Sequence, residues 1–543
     1  MHKILSVICA LCALYMVMSP ASPQYDYVIK NGKVIDGMGN GWFRADVGIQ
    51  DDRIVTLGRI DDTGNAIVID ATGKFVTPGF VDMHSHGERR ILDDRTVQNL
   101  VTQGMTTIVG GNCGDSPLDM KAFFREFETK GAAVNLGVLV GHNTIRREVM
   151  GNVGREPTPA ELSKMKRLVE RAMKAGALGF STGLKYQPGV YSKTDEVIEL
   201  AKVAAQYGGF YATHLRDEGI RLFESMNEAI EIGEKAGLPV QMSHHKAVGA
   251  DMWGQTRTSL AIMEAARLKG VDVTTDLHPY PATYTTCTIL FPPWAIEGTF
   301  EEIKTRLTDP TIRKRAVEGI VYNIIHDRGA NDISNIMIAL YEPDPSLEGL
   351  NMREVLNLKG IYPTKENCAE LLIDMYLKGG ANVVFHCLSE DDIRHIMQHS
   401  LSMYCSDAGI VTVGVGKPHP RHYGNFPRIL ALHVRDRKDL KLEFAIHKMT
   451  AFPAVRMGAF DRGIISVDKC ADIVIFDLNR IQDHATFANP HQYSEGIEYV
   501  MVNGHITVDH GKITGELPGR VIYGPGKTPG SSNGQTDGMT DND

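Results

Sequence analysis

The sequence predicts an α/β protein: a (β/α)8 TIM-like barrel with a small β-sandwich domain formed from both ends of the chain. Eight short apolar segments alternate with stretches of helical periodicity, and strand-like segments bounded by turn residues recur near both ends. The 54 glycines suit many tight strand-to-helix turns. Strands in β/α order form a parallel sheet, and a closed barrel is its commonest eight-stranded form. A doubly wound open sheet is the alternative, which no GxGxxG or P-loop motif supports.

The predicted barrel covers residues 78–454. Its strands are expected at 80–83, 106–109, 136–140, 177–180, 210–213, 240–242, 272–275 and 401–405, with helical periodicity in gaps such as 160–175 and 218–236. A long gap separates the last two strands and predicts an inserted subdomain at about 285–380. Because an insertion at the C-terminal end of a barrel strand tends to cover the active site, we expect this one to do so.

The small β-domain is expected to combine residues 26–77 with residues 455–523. Both regions contain short strand-like segments, and two Asn-Gly steps, Asn31-Gly32 and Asn503-Gly504, are strong hairpin signals. A further strand-like segment over residues 53–57 follows Asp51-Asp52. Because the two regions share this pattern of short strand-like segments and turns, we expect them to form one domain together.

Sequence patterns at the two termini predict an export signal at the N-terminus and a disordered tail at the C-terminus. Lys3, an apolar stretch over residues 4–18 and Ser19-Pro20-Ala21 have the pattern of a signal peptide covering residues 1–21. Its cleavage would leave a periplasmic or secreted protein with no stable membrane insertion, and an uncleaved anchor is the alternative. The Gly/Ser/Asp/Pro-rich residues 524–543 predict a disordered tail.

Composition excludes several functions. A net charge of −9 argues against nucleic acid or an anionic membrane as the main partner. With 43% hydrophobic and 23% charged residues, the chain has the composition of an ordinary globular protein. The cysteines are scattered and form no CxxC pair, which is not the pattern of a disulfide scaffold. The sequence contains no clear signal for an oligomeric state.

Metal-type side chains follow several of the predicted strands. His84 and His86 come directly after the first strand, and their i, i+2 spacing lets both imidazoles face one cation. The carboxyl ends of barrel strands carry the chemistry in this fold. Four further candidates lie at such ends: Cys113, His214, His244 and Asp407. Four imidazoles, one thiolate and one carboxylate predict a site for one or two zinc ions.

Other polar residues near these strand ends have less specific patterns. His142 and His386 also follow strands, but a structural role is the better interpretation for each. Arg421 and Lys246 could anchor a substrate carboxylate, since a guanidinium matches a carboxylate bidentately and an ammonium adds a point charge. On sequence alone, Tyr280 is a packed aromatic residue.

Several motifs resemble a known family. The segment Pro78-Gly79-Phe80-Val81-Asp82-Met83-His84-Ser85-His86 is similar to the opening motif of the amidohydrolase superfamily. Further motifs resemble its N-acyl-D-amino acid deacylase (D-aminoacylase) branch: Gly110-Gly111-Asn112-Cys113-Gly114, Ala212-Thr213-His214-Leu215-Arg216-Asp217-Glu218-Gly219, Ser243-His244-His245-Lys246, Ser406-Asp407 and Pro418-His419-Pro420-Arg421. The resemblance spans roughly residues 26–523.

The resemblance implies a role for each matching position. Cys113, His214 and His244 would hold the tighter zinc. His84 and His86 would form a second, weaker site that Cys113 could bridge. Asp407 would be the catalytic carboxylate, and the substrate carboxylate would contact Lys246, Tyr280 and Arg421. The implied reaction is hydrolysis of the acyl amide of an N-acyl-D-amino acid, and the D preference comes from the resemblance alone.

Three alternatives to this reaction stay open. One is a dipeptidase that acts on dipeptides with a C-terminal D-residue, because that bond is also an N-acyl amide. Another is a hydantoinase-type cyclic amidohydrolase, for which a carboxylated Lys185 would bridge two metals and no free substrate carboxylate would be needed. The third is a non-catalytic relative that binds metal, which filled ligand positions and the presence of Asp407 argue against.

Overall fold

The structure of the protein, a computed structural model, describes residues 24–527. The expected signal peptide and residues 528–543 of the expected tail lie outside the described residues, so both stay predictions. Residues 524–527, the first of that tail, pack against the barrel, and the Gly524 amide donates to the Gly176 carbonyl at 2.9 Å. No helix within residues 24–527 combines the length and apolar character needed to cross a membrane.

Eight parallel strands form the barrel and follow one another around it in chain order. They are Phe80–Asp82, Met105–Gly110, Asn135–Val138 continued by Val140–Gly141, Gly179–Gly183, Phe210–His214, Val240–Met242, Val273–Leu277 and Ser402–Tyr404. The barrel closes between its last and first strands, where the Asp407 amide donates to the His84 carbonyl and the His86 amide to the Ala408 carbonyl, both at 2.8 Å. The predicted barrel is therefore confirmed.

Helices cover the outside of the barrel. They are Gln98–Val101, Met120–Lys130, His142–Met150, Pro159–Ala175, Thr194–Gln206, Leu222–Ala236, Thr256–Leu268, Glu390–Gln398, Arg421–Arg428, Leu442–Met449 and Ala451–Arg456, with the π-helix Ile429–Asp436. The helix expected over 160–175 begins at Pro159, after a capping box between Thr158 and Glu161. The helix expected from residue 218 begins only at Leu222, because the Glu218 side chain is buried at the barrel mouth.

An inserted subdomain separates the last two barrel strands. It contains an antiparallel sheet of Thr283–Thr286, Asn382–Phe385 and Ile336–Leu340, in that spatial order, and the helices Phe300–Thr308, Pro310–His326, Met352–Leu358 and Lys365–Leu377. Two of these strands extend beyond the expected bounds of 285–380. This sheet lies at the carboxyl end of the barrel, where several of its residues line the candidate active site. The insertion therefore covers the site as expected.

The two ends of the chain build two further sheets. The larger has the strand order Lys512–Ile513, His505–Asp509, Ile497–Val502, Ile473–Phe476, Phe75–Pro78, Lys33–Val34 and Phe43–Arg44. The smaller has the order Arg53–Gly58, Asp46–Gln50, Tyr27–Lys30 and Ile67–Asp70. One apolar core joins the sheets, with Val47 and Ile54 from the smaller and Val76 and Ile473 from the larger. The chain thus forms the expected β-sandwich from both of its ends.

The two Asn-Gly steps have different outcomes. Asn503-Gly504 joins antiparallel neighbours, with Val502 opposite His505, so this hairpin prediction is confirmed. The prediction for Asn31-Gly32 is wrong, because the strands on either side of that step belong to different sheets. A Cβ on Gly32 would lie 2.5 Å from a methyl carbon of Val76, so glycine is required there for close packing.

Candidate active site

The predicted metal-type side chains converge at the carboxyl end of the barrel. Three overlapping groups have ligand atoms that all lie within 4.8 Å of one another: His84–His86–Cys113, Cys113–His214–His244 and His84–His244–Asp407. Cys113, His84 and His244 each belong to two of these groups, and Cys113 is the residue that links the His84–His86 pair to the His214–His244 pair. The structure therefore brings together all six residues predicted from strand ends.

The ligand atoms of the Cys113–His214–His244 group lie at spacings close to those around a zinc ion, except that the two nitrogens are nearer to each other. Cys113 Sγ lies 3.8 Å from His214 Nδ1 and 3.5 Å from His244 Nε2, and the two nitrogens are 2.9 Å apart. Tetrahedral zinc, with Zn–N of about 2.1 Å and Zn–S of about 2.3 Å, separates its ligand atoms by about 3.3–3.6 Å. Burial raises the pKa of the Cys113 thiol well above its usual value, and a bound dication would favour the thiolate. The donor set fits zinc.

The second group lies against the first. His84 Nε2 is 3.4 Å from Cys113 Sγ, and His86 Nε2 is 3.3 Å from Asp407 Oδ1. His84 is fully buried, whereas the His86 side chain keeps 18% of its surface exposed. A second cation at this position would be held by one ligand, His86, that is more exposed to solvent than the ligands of the first group.

Three residues of this site have a strained backbone. Cys113, His244 and Asp407 have φ values of 54°, 36° and 50°, in the left-handed region that costs a non-glycine residue about 1–3 kcal/mol. Gly111 in the same turn as Cys113 has φ 73°, and a Cβ there would lie 2.1 Å from the Leu139 carbonyl oxygen. The Gly-Gly-Asn-Cys-Gly sequence therefore permits the sharp turn that aims Cys113 into the barrel mouth.

Asp407 and Arg421 form a buried ion pair beside the histidines. Arg421 Nη1 lies 2.7 Å from Asp407 Oδ2. Burial alone would raise the pKa of Asp407, but the positive charge of Arg421 outweighs burial and holds that pKa well below its usual range. Asp407 is therefore ionised at neutral pH and can accept a proton.

Glu218 contacts both histidines of the zinc-like group, although the sequence analysis assigned it no role. Its Oε1 lies 3.2 Å from His244 Nδ1, and its Oε2 lies 3.4 Å from His214 Nε2. These are the ring nitrogens that face away from the ligand cluster. Glu218 also accepts hydrogen bonds from Lys246 at 2.8 Å and from Arg328 at 2.6 Å.

Glu218 lies beside the outer ring nitrogens of both histidines. Of these, His214 Nε2 makes no hydrogen bond within residues 24–527, and His244 Nδ1 also lies 2.7 Å from Lys246 Nζ. When one ring nitrogen binds a metal, the other carries a hydrogen and needs an acceptor. Burial alone would raise the pKa of Glu218, but His214 and Lys246 outweigh burial and hold it well below the usual value. The resulting carboxylate would be available as that acceptor for both rings once a metal is bound. The signal available in the sequence was the i, i+4 spacing of His214 and Glu218.

Replacing Glu218 with Gln is expected to weaken zinc binding by about 10- to 100-fold, since outer partners of metal ligands typically contribute that much. The amide keeps the size of the side chain but removes its charge. Competition with a chelator of known affinity measures the effect. Glu196→Gln is the matched control, because Glu196 is a buried carboxylate that contacts His142 at 2.8 Å and Arg146, away from the cluster. Equal zinc affinities in the two variants would contradict the assignment of Glu218.

Two buried aspartates support the backbone around the cluster. Asp82 accepts hydrogen bonds from the amides of Ser406 at 2.8 Å and His84 at 3.2 Å, so it ties the last barrel strand to the first. Asp276 accepts from the His244 amide at 2.6 Å. Burial raises the pKa of Asp82 to about 7 and also raises that of Asp276. Asp82 lies in a predicted strand segment and Asp276 directly follows one, and sequence alone showed no partner for either.

The cluster opens into a cavity of about 600 Å³. Its lining contains all of the predicted cluster except His84, and it also includes Lys246 and Arg421 together with Tyr284 and Asn382 of the inserted subdomain. Lys246 donates to Glu218 and lies 2.7 Å from His244 Nδ1. Arg421 lies beside Tyr284, with its guanidinium carbon 5.9 Å from the ring centre. Two cations therefore face the space next to the cluster.

The structure does not bring Tyr280 or Lys185 to this cavity. Tyr280 is buried behind the wall, where the Arg428 guanidinium lies 4.7 Å from its ring centre. Tyr284, four residues further on, is the tyrosine that lines the cavity. Lys185 donates to Asp327 at 2.7 Å in a neighbouring cavity, so its ammonium is held by a carboxylate rather than placed among the candidate ligands.

The remaining histidines occupy structural positions. His142 contacts Glu196 beneath the helices, and the ring of His386 packs on Phe487 with centroids 4.6 Å apart. Neither lines the cavity, in agreement with the structural role predicted for both. His422, which had no predicted role, lines the cavity beside Arg421.

A cluster of imidazoles, one thiolate and one carboxylate at the carboxyl end of a barrel is the site of a metal-dependent hydrolase. The chain belongs to the amidohydrolase family, whose model matches residues 67–313 and 347–508. The superfamily predicted from the motifs is therefore confirmed.

Individual relatives show which members of the family the chain resembles. The chain is 33% identical over 506 residues to N-acyl-D-glutamate deacylase of Alcaligenes xylosoxydans xylosoxydans, covering 89% of this chain and 93% of the relative. It is 31% identical over 524 residues to D-aminoacylase of the same organism, covering 92% and 98%. A crystal structure of N-acyl-D-glutamate deacylase from Bordetella bronchiseptica, complexed with zinc and a phosphonate mimic of the tetrahedral intermediate, matches with a TM-score of 0.78 and 30% identity over 92% of this chain and 100% of that one.

Proposed function

We propose that the protein is a zinc-dependent hydrolase that cleaves the acyl amide bond of N-acyl-D-amino acids to a carboxylate and a free D-amino acid. The convergence of Cys113, His214 and His244 beside the Asp407–Arg421 pair is the observation that carries the proposal. The D preference rests on the relatives, whose names specify acyl-D-amino acid substrates.

In this proposal, Cys113, His214 and His244 would hold the tighter zinc. His84 and His86 would hold a second, weaker one, with Cys113 shared between them. Bound zinc supplies a water whose pKa falls to about 7 and an electrophile that polarises the carbonyl. The larger exposure of His86 supports the difference in affinity between the two sites.

The side chains around the metal position would carry the remaining chemistry. Asp407, ionised beside Arg421, would accept a proton from the attacking water and deliver it to the departing amine, which otherwise leaves poorly. Arg421 and Lys246 would bind the carboxylate of the substrate, because both cations line the cavity next to the cluster. Tyr284 takes the place in the wall that the sequence analysis gave to Tyr280.

The position of Lys185 argues against the hydantoinase-type alternative. A carboxylated lysine would need to lie among the metal ligands, but Lys185 is paired with Asp327 and also lies 3.7 Å from Asp217. Cys113 already lies between the two histidine groups. Cys113, rather than a carboxylated lysine, would therefore take the bridging position.

The proposal predicts metal-dependent hydrolysis of N-acetyl-D-amino acids and none of their L-enantiomers. Purified protein is assayed with paired enantiomers as isolated, after chelation and after zinc is returned. Activity should disappear on chelation and return with zinc. Turnover of L-substrates at a similar rate would contradict the stereochemical part, and turnover that survives complete metal removal would contradict the metal-dependent mechanism.

A further inference from the structure

A second cavity of about 570 Å³ adjoins the candidate active site and has no part in the chemistry proposed above. Tyr186, Gln187 and Thr288 line both cavities, so the two are neighbours. The Tyr186 ring packs edge-on against His214, with centroids 4.6 Å apart. The second cavity therefore begins next to the zinc-like group.

The proposed anchor for the substrate carboxylate lies on the other side of the cluster. Arg421 is paired with Asp407, which in turn lies against His84 and His86. A substrate with its carboxylate at Arg421 and its amide carbonyl at the Cys113–His214–His244 group would extend its acyl group away from Arg421. The acyl group would then extend past Tyr186, which lines both cavities.

We propose that the second cavity is the acyl subsite and that it takes acyl groups that are longer than acetyl and carry no ammonium. This inference rests on the proposed function and adds the acyl class to it. The volume of the cavity far exceeds what an acetyl methyl group fills.

Part of the cavity wall is apolar and suits an aliphatic chain. The inserted subdomain contributes Ile289, Phe291 and Ile296, which are buried, and the loops after two barrel strands contribute Val190 and Ile220. Burial of methylene groups against such walls is favourable. The insertion would thereby set acyl preference as well as cover the active site.

The two carboxylates of the cavity are already paired with a lysine. The two carboxylates in its lining, Asp217 and Asp327, both lie within 4 Å of the Lys185 ammonium, at 3.7 and 2.7 Å. Arg216 donates to Glu228 at 2.8 Å and to backbone carbonyls. An aminoacyl group would bring an ammonium that needs a free carboxylate. The pairing therefore favours a simple acyl group over the aminoacyl group of a dipeptide.

The experiment compares hexanoyl-, acetyl- and glycyl-D-leucine with the zinc-loaded protein. We expect kcat/KM for the hexanoyl substrate to exceed that for the acetyl substrate by about tenfold or more, because apolar burial grows with each methylene. The glycyl substrate should be the poorest. Two substitutions that fill the cavity from different loops, Val190→Phe and Ile220→Trp, should each lower the hexanoyl-to-acetyl ratio at least tenfold. Ile361→Trp is the matched control, since Ile361 is 39% exposed and lines neither cavity.

The outcomes separate this inference from the proposed function. An unchanged hexanoyl-to-acetyl ratio in both filled variants, with unfolding temperatures near that of the parent, would overturn the subsite while leaving the deacylase activity intact. A preferred glycyl substrate would also overturn it. If no N-acyl-D-amino acid is hydrolysed, the proposed function fails, and calorimetry on Asp407→Asn then decides the subsite. Tighter binding of hexanoyl- than of acetyl-D-leucine supports it, and equal affinities overturn it.

Discussion

Replacing Asp407 with Asn is expected to lower kcat by about a thousandfold, within the 10²–10⁴ that positioned general acid–base groups contribute. Asn has nearly the same shape as Asp but cannot accept the proton of the attacking water or pass it to the amine. The Asp407 carboxylate is the group that Arg421 keeps ionised, so its loss removes the base itself. Steady-state kinetics on an N-acyl-D-amino acid measures the effect.

The zinc content of Asp407→Asn shows whether the loss of activity comes from removal of the base or from loss of the metal. Asp407 lies 3.3 Å from His86 Nε2 and 3.7 Å from His84 Nε2, so it adjoins the more exposed metal group and leaves the Cys113–His214–His244 group complete. We expect the tighter zinc to be retained. Asp392→Asn is the matched control, because Asp392 is a buried aspartate that accepts hydrogen bonds from Gly254 and Thr256 outside the site. Near-parental kcat in Asp407→Asn with zinc bound would refute the role as base.

The sequence was sufficient to predict the ligand cluster because barrel topology converts strand order into position. Once eight strands are parallel, their carboxyl ends meet at one face, and side chains far apart in the chain become neighbours. His84 and Asp407, which begin and end the barrel, are joined by an amide-to-carbonyl hydrogen bond at its closure. No knowledge of side-chain geometry was needed for that step.

The supporting residues could not be predicted in the same way. Glu218 contacts His214 and His244, the second of them 26 positions later in the chain. It also accepts a hydrogen bond from Arg328 of the inserted subdomain. Its position depends on where the loop after the fifth barrel strand turns inward, which hydrophobic periodicity does not encode. Tyr280 and Tyr284 show the same limit: both follow the seventh strand, and only the path of the chain into the inserted sheet decides which ring lines the cavity.

The helix and turn errors have a common physical origin. The predictions of a helix from residue 218 and of a hairpin at Asn31-Gly32 both rested on local sequence patterns. Tertiary packing overrides these local preferences. Burial of Glu218 delays the helix to Leu222, and packing of Gly32 against Val76 diverts the chain into the second sheet. Local propensity is a weak guide wherever a residue is committed to a contact elsewhere in the fold.

Replacing Cys113 with Ala is expected to weaken zinc binding by more than a hundredfold and to abolish hydrolysis. The loss should exceed the roughly 10- to 100-fold effect of an outer partner, because a thiolate ligand is removed outright. Cys113 belongs to two of the candidate ligand groups, so both metal positions should be weakened together. Chelator competition and zinc content per chain measure this.

His86→Ala distinguishes a shared thiolate from a single metal site. His86 belongs to one group only, so this variant should keep one tightly bound zinc per chain and lose only the second. Cys368→Ala is the matched control for the cysteine, since Cys368 is a buried free thiol in the helix Lys365–Leu377 of the inserted subdomain. If Cys113→Ala and His86→Ala gave the same zinc content and affinity, Cys113 would not be shared between two sites. The cluster would then be a single site extended by His84 and His86, and the difference in affinity proposed between two metals would have no structural basis.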